Sequence, residues 1–189
     1  MEINPIKWDW ELMVFLNNLS PDVLDPFWSF VTYTKHWIPF FILLIALFFY
    51  KSPAKKGGLG LLFVLACVGL THLITDFTKS LVMRSRPNTE EALSEVIKVL
   101  YEPSHFSFFS GHASTSFAAT VFIFLSLKSK YRYLGLIFIW PILFSLSRIF
   151  VGVHFPSDVI VGGVMGTILA ILFYELYNFA LYKLVRVSN

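Results

Sequence analysis

The sequence predicts an all-α integral membrane protein, a bundle of five or six transmembrane helices with N-terminal helices lying at the membrane interface. Three observations carry this expectation. Of 189 residues, 56% are hydrophobic and only 14% charged, and the mean hydropathy is +0.68. The apolar residues gather in long runs separated by short polar turns, as in successive spans and not in a globular core. Finally, the turns at 51–56 and 128–132 and the tail after Tyr182 hold eight Lys or Arg and no Asp or Glu. There is no internal repeat, low-complexity stretch or composition shift, so residues 1–189 are read as a single domain.

The elements follow in order. Over residues 8–33, Leu12, Phe15, Leu16 and Leu19 recur at helical spacing opposite Asp9, Glu11 and Asn18. This is an amphipathic helix for the interface, with Trp8 and Trp10 as headgroup anchors. Pro21 opens a second short aromatic helix, which leaves the span count between five and six. His36 to Tyr50 is the first strongly apolar run, and a second span runs from about Gly58 to Met83. The second half of that span carries Thr71, His72, Thr75, Asp76 and Lys79. In the polar connection 84–109, Asn88 is a helix cap and Leu93, Val96, Ile97 and Leu100 form one apolar face, so an amphipathic surface helix is expected there. A third span covers about Gly111 to Lys128. A fourth runs from Tyr133 to Ile149 with Trp140-Pro141 as a kink inside it. The last runs from Pro156 to about Tyr182, where Gly162, Gly163 and Gly166 permit close helix contact.

Five alternating spans put the three basic segments on one side, the cytoplasmic side by the positive-inside rule. Residues 1–35, 79–109 and 148–158 then face the periplasm or the outside of a plasma (inner) membrane. The opening residues M-E-I-N-P-I-K-W-D-W lack a basic n-region followed by an apolar h-region, so no cleavable signal peptide is expected. No basic tract with interleaved aromatics points to nucleic acid. The single cysteine, Cys67, excludes an intrachain disulfide.

Three stretches bring ionisable groups to the outer face: K-S-L-V-M-R-S-R-P from Lys79, F-S-G-H from Phe109, and S-R-I-F-V-G-V-H-F-P-S-D from Ser147. Ionisable groups at the mouth of a span are costly and usually functional. Lys79, Arg86 and Arg148 supply three cations, and Ser110-Gly111 leads into a helix N-terminus whose free N–H groups favour an anion. Together they suit a dianion held without a metal. His112 and His154 allow a division of labour in which one imidazole attacks and the other protonates the leaving oxygen, while Asp158 can fix a histidine tautomer. No CxxC, HExxH or carboxylate cluster points to a metal site, and no cofactor is expected.

In this order, K-x6-R-P, S-G-H and S-R-x5-H-x3-D resemble the three-part signature of the type 2 phosphatidic acid phosphatase (PAP2) superfamily. That superfamily includes lipid phosphatases, glucose-6-phosphatase and vanadium haloperoxidases. The signature covers residues 79–158. Phe109 stands where the family usually has Pro, a position that shapes the turn and contributes no reacting atom. The resemblance implies His154 as nucleophile, Asp158 as its orienting partner and His112 as general acid. It also implies that Lys79, Arg86, Arg148, Ser110 and Gly111 hold the phosphate.

The resulting expectation is a metal-independent membrane phosphatase acting through a phosphohistidine on a lipid monoester or diphosphate. Undecaprenyl diphosphate, phosphatidylglycerophosphate, phosphatidate and lipid A phosphates are the candidates. The alternative is an anion channel or transporter using the same basic face. A conduction path should carry polar residues through the membrane depth, however, and only His72 and Asp76 do so. His72, Asp76 and Lys79 share one helix face, as an ion pair positioning Lys79 or as a proton relay. Arg84 is expected to bind a lipid headgroup or a surface phosphate, His105 to be solvated or near the site, and His36 to be interfacial.

Overall fold

The computed structural model describes residues 5–50, 52–103 and 105–187, so Lys51 of the first basic turn lies outside the described residues. Helix α1 spans Pro5–Asn18, and a 3-10 turn leads into α2, Asp25–Thr32. A second 3-10 turn, Thr34–Trp37, leads into α3, Ile38–Phe49. Helix α4 covers Ala54–Val82, and the connection after it holds one helical turn, α5, Glu91–Ser94. Helix α6 spans Gly111–Leu127, α7 Ile139–Phe150 and α8 Pro156–Val187. No strand occurs among the described residues.

The lengths of these helices reflect the bilayer as solvent. Those that begin at Ala54 and at Pro156 are each long and apolar enough to cross a membrane alone. Asp22–Thr32 and Thr34–Phe49 pass the same test only together, with a bend of 69° between them, and Gly111–Leu127 and Leu134–Phe150 are shorter apolar helices. Helix α6 is the centre of the bundle and packs on α8, α4 and α7. Its Ala118, Phe122 and Ile123 are buried with Phe48 of α3, Val64 and Cys67 of α4, and Ala170 and Tyr177 of α8. Helix α8 lies so close to α6 that a Cβ on Gly162 would fall 2.6 Å from the Ser110 carbonyl oxygen, and one on Gly166 would collide with that of Ser114. Small residues let the backbones meet, as membrane helix packing favours.

The basic segments gather at one end. Lys130 Nζ donates to Ser52 Oγ at 2.7 Å and to the Tyr50 carbonyl, and Tyr131 Oη donates to the Leu47 carbonyl at 2.8 Å. The histidines and arginines of the signature lie at the other end.

Three sequence expectations are corrected. The polar side of α1 is split: Glu11 and Asn18 are exposed as expected, but Asp9 is buried with Met13 and Asn17, while Trp8, Phe15 and Leu19 point outward. Asn17 explains this, since its Nδ2 donates to Ile149 O at 2.9 Å and Lys98 O at 3.1 Å, and its Oδ1 accepts from Lys98 N at 2.7 Å. The outward apolar stripe still suits an interface. Second, the surface helix expected over 88–100 is reduced to Glu91–Ser94. Leu93 and Ile97 are buried as expected, but Asn17 takes the Lys98 peptide and Leu100 N pairs with Val151 O at 3.1 Å. Those tertiary bonds replace the helical ones. Third, Trp140-Pro141 does not kink a helix but opens one: α7 begins at Ile139 after a 3-10 turn, Leu134–Phe138, where proline's missing N–H costs nothing.

The α6–α8 contact is testable by substitution. Gly166→Ala is expected to lower stability by about 1–3 kcal/mol, the usual cost of overpacking. Gly69→Ala in α4, where an added Cβ meets nothing within 4 Å, is expected to gain about 0.5–1 kcal/mol. Thermal melting of the purified protein in detergent checks both.

Candidate active site

His154 sits in the loop between α7 and α8, and local geometry fixes its place. The amides of Val153 and His154 both donate to Arg148 O, at 3.1 and 3.2 Å. Gly152 makes the turn with φ +82°, and a Cβ there would strike the Lys98 carbonyl, so both conformation and space require glycine. Four residues on, the first turn of α8 presents Asp158, which is 0% exposed. Its Oδ2 lies 3.3 Å from His154 Nδ1 and accepts from Phe155 N at 3.1 Å.

These contacts assign the tautomer. A carboxylate only accepts, so His154 carries its proton on Nδ1 and leaves a lone pair on Nε2. Arg86 Nη1 donates toward that lone pair at 3.2 Å. Burial, and then the charges of Arg86, Arg148, Lys79 and Arg84, push the His154 pKa well below its ordinary value. The imidazole is thus neutral with an unprotonated Nε2, the form a nucleophile needs, and Arg86 Nη1 occupies that lone pair here.

The cations converge around it. Arg86 is anchored by donating to Val153 O at 2.9 Å, to Phe106 O at 3.2 Å and to the His105 carbonyl. Burial lowers its pKa to about 10, so it stays charged at neutral pH. Arg148 donates to Thr32 Oγ1 and lies 5.2 Å from the Tyr101 ring. Its Nε is buried with no hydrogen-bond partner, an orphaned donor that a bound anion would satisfy. Lys79 Nζ lies 3.8 Å from where a Cβ on Gly111 would stand.

Helix α6 starts here. Ser110 is its N-cap, with Oγ facing Ala113 N at 3.5 Å, but Ser110 N donates to the Asp158 carbonyl at 3.0 Å. The amides left without intrahelical acceptors at this helix start are therefore those of Gly111 and His112, an arrangement that suits an anion. His112 Nε2 donates to Thr32 O at 3.1 Å, and its ring stacks on Phe144 with centroids 4.4 Å apart. Nδ1 is then the nitrogen left for proton transfer. All eight residues expected from the sequence meet at one end of the bundle, where the Ser110 amide and the Arg86 guanidinium are already engaged by backbone carbonyls. Among the described residues no group of three or more His, Cys, Asp or Glu side chains is placed to hold a metal ion.

Two partners were not foreseen. Arg84 is not free for a headgroup: Nη1 donates to Asp158 Oδ1 at 2.7 Å and Nη2 to Asp9 Oδ2 at 2.6 Å. Asp9 also accepts from Ser157 N at 3.0 Å and from Ser157 Oγ. A chain Asp9–Arg84–Asp158–His154 thus joins α1 to the α7–α8 loop, with Arg84 stacked 4.0 Å from the centre of the Phe155 ring. The sequence signal was Asp9 itself, an acidic residue on a helix otherwise suited to lipid. Thr32, at the end of α2, is the second: it holds both Arg148 and His112. His105 is exposed and joins the site only through its carbonyl. His36 is exposed, stacks on Phe30 at 4.2 Å and places Nδ1 2.7 Å from the Phe30 carbonyl, as expected of an interfacial residue.

Arg84→Met is expected to cost about 3–5 kcal/mol, because it strands the buried Asp158 and Asp9 carboxylates. Arg84→Lys keeps the charge, loses the two-pronged bridge and should fall between. Thermal melting alongside initial rates checks this order. In the same assays the acidic limb of kcat/KM is expected below pH 6.5, since a depressed His154 pKa keeps the nucleophile neutral as pH falls.

The chain is similar to known proteins in sequence and in fold. Residues 60–182 match the family model described as PAP2 superfamily. The lipid A 4'-phosphatase of Porphyromonas gingivalis is 29% identical over 176 residues, 89% of this chain and 72% of that protein. The crystal structure of a transmembrane PAP2 type phosphatidylglycerolphosphate phosphatase from Bacillus subtilis superposes with a TM-score of 0.72 at 22% identity, covering 93% of this chain and 87% of that one. Aquifex aeolicus LpxE superposes with a TM-score of 0.65 at 27% identity, covering 87% and 93%. The family match spans well over half the chain and includes Lys79, Arg84, Arg86, His112, Arg148, His154 and Asp158: the chain belongs to the PAP2 superfamily.

Proposed function

We propose that this PAP2 membrane phosphatase removes the phosphate of a lipid monoester at the outer face of the plasma (inner) membrane, through a phosphohistidine on His154. The observation that carries the lipid reading is a cavity of about 350 Å³ directly beneath His112. Phe41, Leu44 and Phe48 of α3, Leu61 and Val68 of α4, and Phe144 of α7 line it, and His112 and Thr115 stand at its upper end. A proton donor on the leaving oxygen belongs where the departing alcohol lies, and here that place opens into hydrocarbon-like space. The similarity to the lipid A 4'-phosphatase of P. gingivalis supports the same substrate class.

The chemistry follows from the atoms present. Lys79, Arg86, Arg148 and the amides of Gly111 and His112 hold the phosphoryl oxygens and neutralise charge as it builds. His154 Nε2 attacks phosphorus while the phosphorus–oxygen bond to the lipid breaks. His112, as imidazolium steadied by Thr32 O, gives its Nδ1 proton to the leaving alkoxide. Asp158 stabilises the charge on His154, as a carboxylate does in a protease triad. Neutral His112 then takes a proton from water, whose oxygen displaces His154 and releases inorganic phosphate.

Leaving-group chemistry separates the two histidines. His154→Ala is expected to abolish turnover with every substrate. His112→Ala should lose about 10²–10⁴ in the first step with a lipid alkoxide but far less with p-nitrophenyl phosphate, whose leaving group departs unprotonated. That variant should show a nitrophenol burst and accumulate acid-labile phosphohistidine, read by rapid quench. Equal losses for both leaving groups would show that the roles are assigned wrongly.

Orientation has its own test. In a Cys67→Ser background, Glu95→Cys is expected to react with an impermeant thiol reagent added outside intact cells, and Lys55→Cys and Lys130→Cys are not. The reverse labelling would put the chemistry in the cytoplasm.

A further inference from the structure

The site above leaves one polar feature of the membrane region unused. On α4, His72 Nε2 lies 3.4 Å from Asp76 Oδ2, and the two side chains are 64% and 55% exposed. They do not face the bundle interior, and Lys79 stands outside the pair. Lys56, at the basic end, and Asp76 are separated by 20 residues of continuous helix, about 30 Å at 1.5 Å per residue. That is roughly the thickness of the hydrocarbon layer. His72 therefore lies one turn inside it, where an exposed ionisable group is costly unless something polar meets it.

Its place around the helix says what that would be. At about 100° per residue, Leu61, Leu65, Val68, His72 and Lys79 fall within a sector of about 60°, with Asp76 at its edge. Leu61, Leu65 and Val68 line the apolar cavity, and Lys79 stands beside Gly111 at the phosphate end. His72 and Asp76 thus lie between the tail cavity and the phosphate site. A lipid phosphate with its tail below and its phosphate above presents to them the atoms that join the two.

We propose that His72 and Asp76 form a subsite for hydroxyl groups on the carrier between phosphate and acyl chains. The enzyme then selects lipid phosphates built on a sugar or glycerol over polyprenyl phosphates, whose hydrocarbon begins at the ester oxygen. This rests on the lipid phosphatase reading above and narrows it. Asp76 accepts from a carrier hydroxyl. His72, whose Nε2–H faces Asp76, offers Nδ1 as a second acceptor. A polyprenyl chain at the same place strips water from both groups and returns no hydrogen bond.

The test compares wild type with His72→Leu and Asp76→Leu on three substrates in mixed micelles: a glucosamine-disaccharide lipid phosphate, phosphatidylglycerophosphate and a polyprenyl monophosphate. Released phosphate is measured, and melting temperatures are recorded alongside. Wild type is expected to prefer the hydroxylated lipids. Both variants should lose about 10–100-fold in kcat/KM on one or both of them, as for hydrogen bonds to charged groups, while the polyprenyl rate holds within about twofold. Loss on the disaccharide alone identifies a sugar carrier, and loss on phosphatidylglycerophosphate alone a glycerol carrier. Parallel losses on all three substrates, no loss on any, or a wild-type preference for polyprenyl phosphate overturns the subsite and leaves the phosphatase reading standing. Absence of phosphate release from every lipid by wild type overturns both.

Discussion

The structure depends on keeping one fully buried carboxylate, that of Asp158, compensated at the membrane surface. An isolated charge there would be prohibitive, and the protein spends four elements on it. Helix α8 supplies the residue, the α7–α8 loop supplies His154 and the Phe155 amide, and the segment after α4 supplies Arg84. Its backbone carbonyl is taken by Ser110 N at the start of α6, which ties the oxyanion-facing helix end to the same residue. The close α6–α8 packing at Gly162 makes that last bond possible. The setting of His154, the start of α6 and the helix packing are thus facets of a single constraint.

That constraint also accounts for α1. Arg84 satisfies Asp158 with one nitrogen and needs a second anion for the other, which Asp9 provides with 4% of its side chain exposed. Asn17, two turns further along, fastens the same helix to the carbonyls that end α7 and to the Lys98 peptide. A helix whose outer stripe suits lipid therefore turns Asp9 and Asn17 inward, which a freely floating amphipathic helix does not do. The membrane-facing N-terminus is part of the scaffold that orients His154.

What could be read from the sequence divides along physical lines. The apolar helices, the basic turns and the convergence of eight polar residues at one end were legible because hydropathy over 15–25 residues and ordered polar motifs are local signals. The limits of α6 and of α8's first turn agree with the sequence reading within a residue or so for the same reason. The fate of Arg84 was not legible, because its partners lie 75 and 74 residues away and its own surroundings read as a surface. The helix expected at 88–100 failed through a competing tertiary bond: Asn17 claims both groups of the Lys98 peptide. Trp140-Pro141 was misplaced because proline marks a first helical turn as readily as a kink. The tail cavity was invisible altogether, since it is a gap between four helices and no residue names it.

The placement of His112 shows how one fold serves two solvents. On one side its Nε2 is held by Thr32, whose hydroxyl also accepts from Arg148, so the polar site fixes the ring. On the other its ring lies against Phe144, on the wall of the apolar cavity. The ring is thus anchored on the polar side through Nε2 and stacked by its face on the wall of the apolar cavity. The bond to be broken joins a dianion to a lipid, so the residue that assists the break has to stand where the two environments meet. Helix α2 places it there: Thr32 ends that helix at the point where the chain bends by 69° to enter the membrane as α3.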